Sequence, residues 1–125
     1  MEKAGVLIYG YNGDDAARIR AFLDEVAGFP VCITSGSGKN RETIADILQN
    51  PSENVFADEE AKIMMLLGFP EEQISAILGN FSIGAEGLKR PIFCMLTEQN
   101  QNWPLEELLE HLEEERRYWT SHKPA

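Results

Sequence analysis

"IMMLLGFPEEQI", residues Ile63 to Ile74, decides how the chain is to be folded. Its first part is an unbroken apolar run ending in Gly68-Phe69, which predicts a strand with both faces covered rather than one face in water. Pro70 with Glu71 and Glu72 then begins a helix, because proline is favoured in a first turn and carboxylates suit the positive end of the helix dipole. Ile74, Ile77, Leu78 and Phe81 continue at helical spacing and give that helix one apolar stripe. A loop with Gly84 and Gly87 leads to Pro91, and Ile92 to Leu96 predicts a second strand ending at Thr97. After "TEQNQNW" comes a last helix, lined by Leu105, Leu108, Leu109 and Leu112, with Trp119 on the same line.

The same order of signals stands earlier in the chain. "VLIYGY", Val6 to Tyr11, predicts a buried strand closing on Gly10, and Asp14 and Asp15 open a helix whose stripe is Ile19, Phe22, Leu23 and Val26. Gly28 marks its stop. Val31 to Thr34 predicts the next strand, and after a glycine-serine loop Ile44, Ile47 and Leu48 mark a short helix closed by Asn50 and Pro51. Gly10-Tyr11 thus answers Gly68-Phe69, and Pro30, Cys32 and Thr34 answer Pro91, Cys94 and Thr97. The organisation expected is a single α/β domain over residues 1–125. Two βαβα halves, 1–50 and 61–119, flank a polar connector, 51–60, with a tail at 120–125. Strands alternating with helices predict a three-layer sandwich around a mainly parallel four-stranded sheet. Right-handed crossovers limit the topology, and the order expected is 2-1-3-4, with the two halves meeting at strands one and three. The loops after strands two and four are expected together at the carboxyl edge of that sheet.

Composition bounds the function. The 125 residues carry a formal net charge of -10. An acidic chain repels phosphate backbones and anionic lipid, so neither nucleic acid nor a membrane surface is expected as partner. The start "MEKAG" has neither the basic region nor the apolar stretch of a signal peptide, and no apolar run is of membrane-spanning length, so a cytoplasmic location is expected. Cys32 and Cys94 each lie in an apolar run, which predicts buried reduced thiols. With His111 and His122 they lack the paired spacing of a zinc site, and neither metal nor cofactor is expected. Neither histidine is placed to activate a nucleophile.

"TSGSGKN", Thr34 to Asn40, invites comparison with a phosphate-binding loop. Gly38-Lys39 supplies the end of that motif, but its first glycine would fall at Ile33 and its magnesium-binding hydroxyl at Asn40. A dinucleotide fingerprint fails as well, since its third glycine would fall at Arg41. The glycines and serines are read as turn residues, with Asn40 a candidate cap for the second helix. A weak anion site built on Thr34, Ser35, Ser37 and Lys39 is the alternative.

In "TEQNQNWPLEEL", Thr97, Asn100, Asn102 and Trp103 lie between a strand end and a helix start. The favoured reading has Asn102 capping the helix and Trp103 covering the edge of the core. The alternative has the amides and the indole lining a ligand site. From about Lys62 to Glu115 the chain resembles the small bacterial family known as domain of unknown function 3783. The resemblance rests on Gly68-Phe69, Glu71-Glu72, Pro91, Thr97, Asn100, Asn102, Trp103 and the Leu105 to Leu112 helix. Glu98-Gln99 stands where the family usually has Pro-Thr. Pro104 stands where it has Thr, which removes a helix-capping hydroxyl. The resemblance implies the fold of this segment and brings no activity with it.

The chain therefore carries no complete catalytic constellation, and whether it is an enzyme stays open. The leading expectation is a non-catalytic binding or regulatory module with a protein partner. The other is an enzyme or sensor for a small anionic ligand held by Lys39, Thr34 and Thr97 at the carboxyl edge.

Overall fold

The computed structural model describes residues 4–51 and 55–121, with side chains described as far as Tyr118. The expected elements are present within a residue or two. They are β1 (Gly5–Tyr9), α1 (Gly13–Ala27), β2 (Cys32–Ser35), α2 (Ile44–Gln49), β3 (Ile63–Leu67), α3 (Glu71–Gly84), β4 (Ile92–Met95) and α4 (Leu105–Ser121). A single 3₁₀ turn, Asn100–Asn102, precedes α4. Gly28 ends α1 in the left-handed conformation, and its N–H donates to the Asp24 carbonyl, as the stop signal predicted.

The four strands form one sheet in the order β2-β1-β3-β4. β1 pairs in parallel with β2, and β3 with β4, but the central pair is antiparallel, with Leu7 opposite Met65 at its middle. The reason lies in the helices. Two right-handed crossovers that diverge from a central pair place their helices on the same face only when that pair is antiparallel. Here α1 and α3 do share a face. Ile19, Phe22 and Leu23 of α1 pack with Ile77 and Phe81 of α3 over Val6, Ile8, Ile33, Met64 and Leu66. Alternate strand residues point the other way, and Leu7, Tyr9, Ile63 and Met65 pack under Ile44 and Ile47 of α2 and Leu105 and Leu108 of α4. The result is a three-layer sandwich with a core on each side of the sheet. Trp119, expected on the α4 stripe, lies beyond the described side chains.

The antiparallel centre overturns one expectation. Thr34 and Thr97 do not share an edge. β2 runs with β1, β4 runs with β3, and the two pairs point in opposite directions, so the carboxyl ends of β2 and β4 lie at opposite ends of the sheet.

α1 and α3 meet closely at Gly84, where a Cβ would stand 2.1 Å from Cδ1 of Phe22. Gly84→Ala is therefore expected to lower stability by about 1–3 kcal/mol, the usual cost of forcing a core to shift, although alanine favours a helix more than glycine does. Chemical denaturation measures this, and a stabilised variant would contradict the close approach.

Candidate functional site

The glycine-serine loop is held by its own side chains. Ser35 Oγ donates to the Val55 carbonyl and accepts from the Ser37 N–H at 3.1 Å. Ser37 Oγ accepts from the Ala57 N–H at 3.2 Å. The two hydroxyls thus tie the connector to the end of β2. Lys39 Nζ donates to the Asn50 carbonyl at the end of α2 at 3.0 Å, and Thr34 is buried. Gly38 has φ +77°, and a Cβ on Gly36 would meet the Leu105 side chain at 2.9 Å. One glycine therefore serves the turn and the other makes room for α4. The cap of α2 is Thr43, not Asn40: Thr43 Oγ1 accepts from the Asp46 N–H at 3.2 Å. Asn40 Nδ2 donates instead to the Tyr9 hydroxyl at 3.2 Å.

The second loop is organised by Asn100, which is buried. Its Oδ1 accepts from the Thr97 N–H at 2.8 Å, its Nδ2 donates to the Met95 carbonyl at 3.0 Å, and its N–H donates to Thr97 Oγ1 at 2.9 Å. Asn102 is exposed, and its Nδ2 donates to the Glu98 carbonyl at 3.3 Å. Trp103 is half-buried and stacks on the His111 ring, with centroids 4.2 Å apart and 15° between planes.

Although their strand ends lie apart, the far parts of the two loops meet. Thr43 bridges Pro104 in antiparallel fashion, and the Ile44 N–H donates to the Trp103 carbonyl at 3.0 Å. The N–H groups of Leu105 and Glu106 donate to the carbonyls of Glu42 and Asn40, each at 2.9 Å. The start of α4 is thus satisfied by the main chain of the first loop, and Asn102 is not its cap. With Pro104 offering no capping side chain, donors that a helix start leaves open are met from across the molecule, at Leu105 and Glu106. This pairing had no signal in the sequence, because main-chain partners carry no residue-type signature. The same holds for the stack of Trp103 on His111, since Trp103 lies outside the helix and its spacing to His111 reflects no helical period.

Beside these loops lie two open concavities. One, about 650 Å³, runs between β4 and α4 and includes Cys94, Trp103, Leu112 and Tyr118. The other, also about 650 Å³, opens over the sheet beside the end of α2, with Gly5, Cys32, Leu48 and Leu67 among its walls. Cys32 is exposed there, against the buried thiol expected, because α2 is only six residues long and its C-terminal end reaches this hollow without closing it. Cys94 is half-buried, and burial pushes its thiol up to about 12, which disfavours the thiolate at neutral pH. A thiol-labelling time course is expected to modify the exposed Cys32 before the half-buried Cys94; comparable rates would show that the groove leaves Cys94 as open as Cys32. Among the described residues, no three His, Cys, Asp or Glu side chains come together as a metal site.

Sheet, layers and grooves together define an α/β sandwich with one concave surface along α4 and another beside the end of α2. Residues 62–119, from the start of β3 into the last turns of α4, match the model of a family described as Domain of unknown function (DUF3783). The match covers just under half the chain, and it includes the Trp103 loop and the α4 wall of the first groove. No curated protein and no solved structure matches the chain significantly. Among the described residues no helix is long and apolar enough to cross a membrane.

Proposed function

We propose that the chain is a non-catalytic, cytoplasmic binding or regulatory module that acts through a protein partner. The observation that carries this is the occupation of the polar loop groups. Ser35, Ser37, Lys39, Asn100 and Asn102 each bond to the main chain of their own fold, which gives them structural work in place of chemistry. A panel of nucleotides and sugar phosphates is expected to leave the thermal midpoint unchanged. A ligand at a hundred times its Kd would add about 2.7 kcal/mol of stability, a shift easily seen in a domain of this size. Stabilisation by any anion, abolished in Lys39→Ala, would replace this reading with the anion sensor.

The two halves are, on the same footing, copies of one βαβα unit related by a twofold axis normal to the sheet. The register supports this: an axis through the Leu7–Met65 pair carries Gly10 onto Gly68 and Ile19 onto Ile77. It also revises the correspondence drawn from sequence, because Thr34 shares a row with Leu7 and Cys94 with Met65, so Thr34 answers Cys94 rather than Thr97. Homologues of the first half should align with those of the second in this register; failure to align would sink the duplication.

A further inference from the structure

We infer that the groove between β4 and α4 takes a basic segment of a partner protein, one apolar side chain entering it while flanking lysines or arginines meet the α4 carboxylates. This rests on the binding-module reading and specifies its partner. The floor is apolar, from Cys94, Leu108 and Leu112, and one wall is the Trp103–His111 stack. Glu114 and Glu115 stand on the rim. α4 carries six glutamates, at 106, 107, 110, 113, 114 and 115, in a chain whose net charge is already -10. Among the described residues, Glu113 pairs with Arg116 at 3.9 Å, and Glu107 lies 3.8 Å from His111, an ion pair only when the histidine is protonated. Glu114 and Glu115 stand outside both. An open apolar groove bordered by carboxylates favours a partner that brings both an anchor and cations.

The mode of docking follows from the edge strand. β4 is the outer strand of the sheet, and Met95 and Leu96 beyond the groove are 54% and 38% exposed. The last carbonyl of β4, at Met95, is already taken by Asn100 Nδ2. With only four residues and one end closed in this way, the strand offers little ladder for a fifth strand, so side chains carry the recognition. Among the described residues, the second concavity has no charged side chain in its walls, and nothing there selects an occupant.

A library of random dodecapeptides displayed on phage, panned on the full chain, tests the assignment. Enriched peptides are expected to carry Lys or Arg around one aromatic or branched aliphatic residue. A synthetic copy should bind at least tenfold more weakly to Glu114→Lys/Glu115→Lys. Its affinity for Glu59→Lys/Glu60→Lys, which changes the charge equally on exposed residues of the connector, should fall less than threefold. Oligolysine of equal charge should bind at least tenfold more weakly than the peptide. Equal losses in both double variants, or oligolysine binding as tightly, would overturn the groove in favour of unspecific charge attraction. Enrichment of peptides without basic residues would overturn the partner's chemistry while leaving a binding module. No enrichment overturns the groove as well, and substrate turnover by the chain, not binding failure, is what would overturn the module itself.

Discussion

Phe81→Ala is expected to cost about 3–5 kcal/mol of unfolding free energy, the range for removing a large buried aromatic. Phe81 is wholly buried and joins three elements. Its ring meets Phe22 of α1 edge-on, centroids 5.8 Å apart, and Phe93 of β4 edge-on at 5.6 Å. Truncation therefore empties the volume where α1, α3 and the edge strand converge, and it removes two aromatic pairs that each contribute beyond their buried area. Urea unfolding should show a lower midpoint with an unchanged slope. Ile83, two residues on and 77% exposed, is the control, and Ile83→Ala should change stability by no more than about 0.5 kcal/mol. Similar losses at both positions would mean that the α1–α3 layer is not packed as described.

The second large effect is expected at Asn100. Asn100→Ala removes the acceptor of the Thr97 N–H and the donor to the Met95 carbonyl. Both main-chain groups, on exposed residues near the end of the edge strand, lose that partner, for a loss of about 1–3 kcal/mol, two part-buried hydrogen bonds at about 0.5–1.5 kcal/mol each. Asn102→Ala separates this loop from the one expected on sequence alone. A side chain capping α4 would cost about 1 kcal/mol on removal. Asn102 is exposed and bonds only within its own turn, to Glu98, so its loss should stay within about 0.5 kcal/mol. The reverse ranking would restore the cap.

Much of the fold was legible because its signals are local. Ile19 and Phe22, or Ile77 and Phe81, declare a helix face by spacing, and Gly28 declares a stop by conformation. The order of strands agrees with two halves meeting at their first strands. Strand direction at the centre was not legible, because "VLIY" and "IMMLL" are apolar without alternation and read the same whichever way a neighbour runs. Deciding it requires knowing that α1 and α3 share a face, a fact of assembly. The candidate site was legible as a set of residues and misread as a place. Thr34 and Thr97 were grouped by their position after strands, while the contact that brings their loops together runs through the carbonyls of Asn40, Glu42 and Trp103. Lys62 was missed altogether. Its ammonium donates to the Gly10 carbonyl at 2.7 Å and to Asp58 at 3.1 Å, holding the connector against the end of β1, and a lone lysine before a strand gives no hint of that.

Amide chemical shifts of isotope-labelled protein, recorded while a basic, apolar-anchored peptide and then inorganic phosphate are titrated in, test the assignment of function most directly. With the peptide, the largest changes should fall on Cys94, Leu112, Glu115 and the Trp103 indole, with the amides of Gly36 to Asn40 unmoved, and phosphate should move neither set. Saturable changes centred on Gly36 to Asn40 with phosphate, and none along the groove with the peptide, would contradict it.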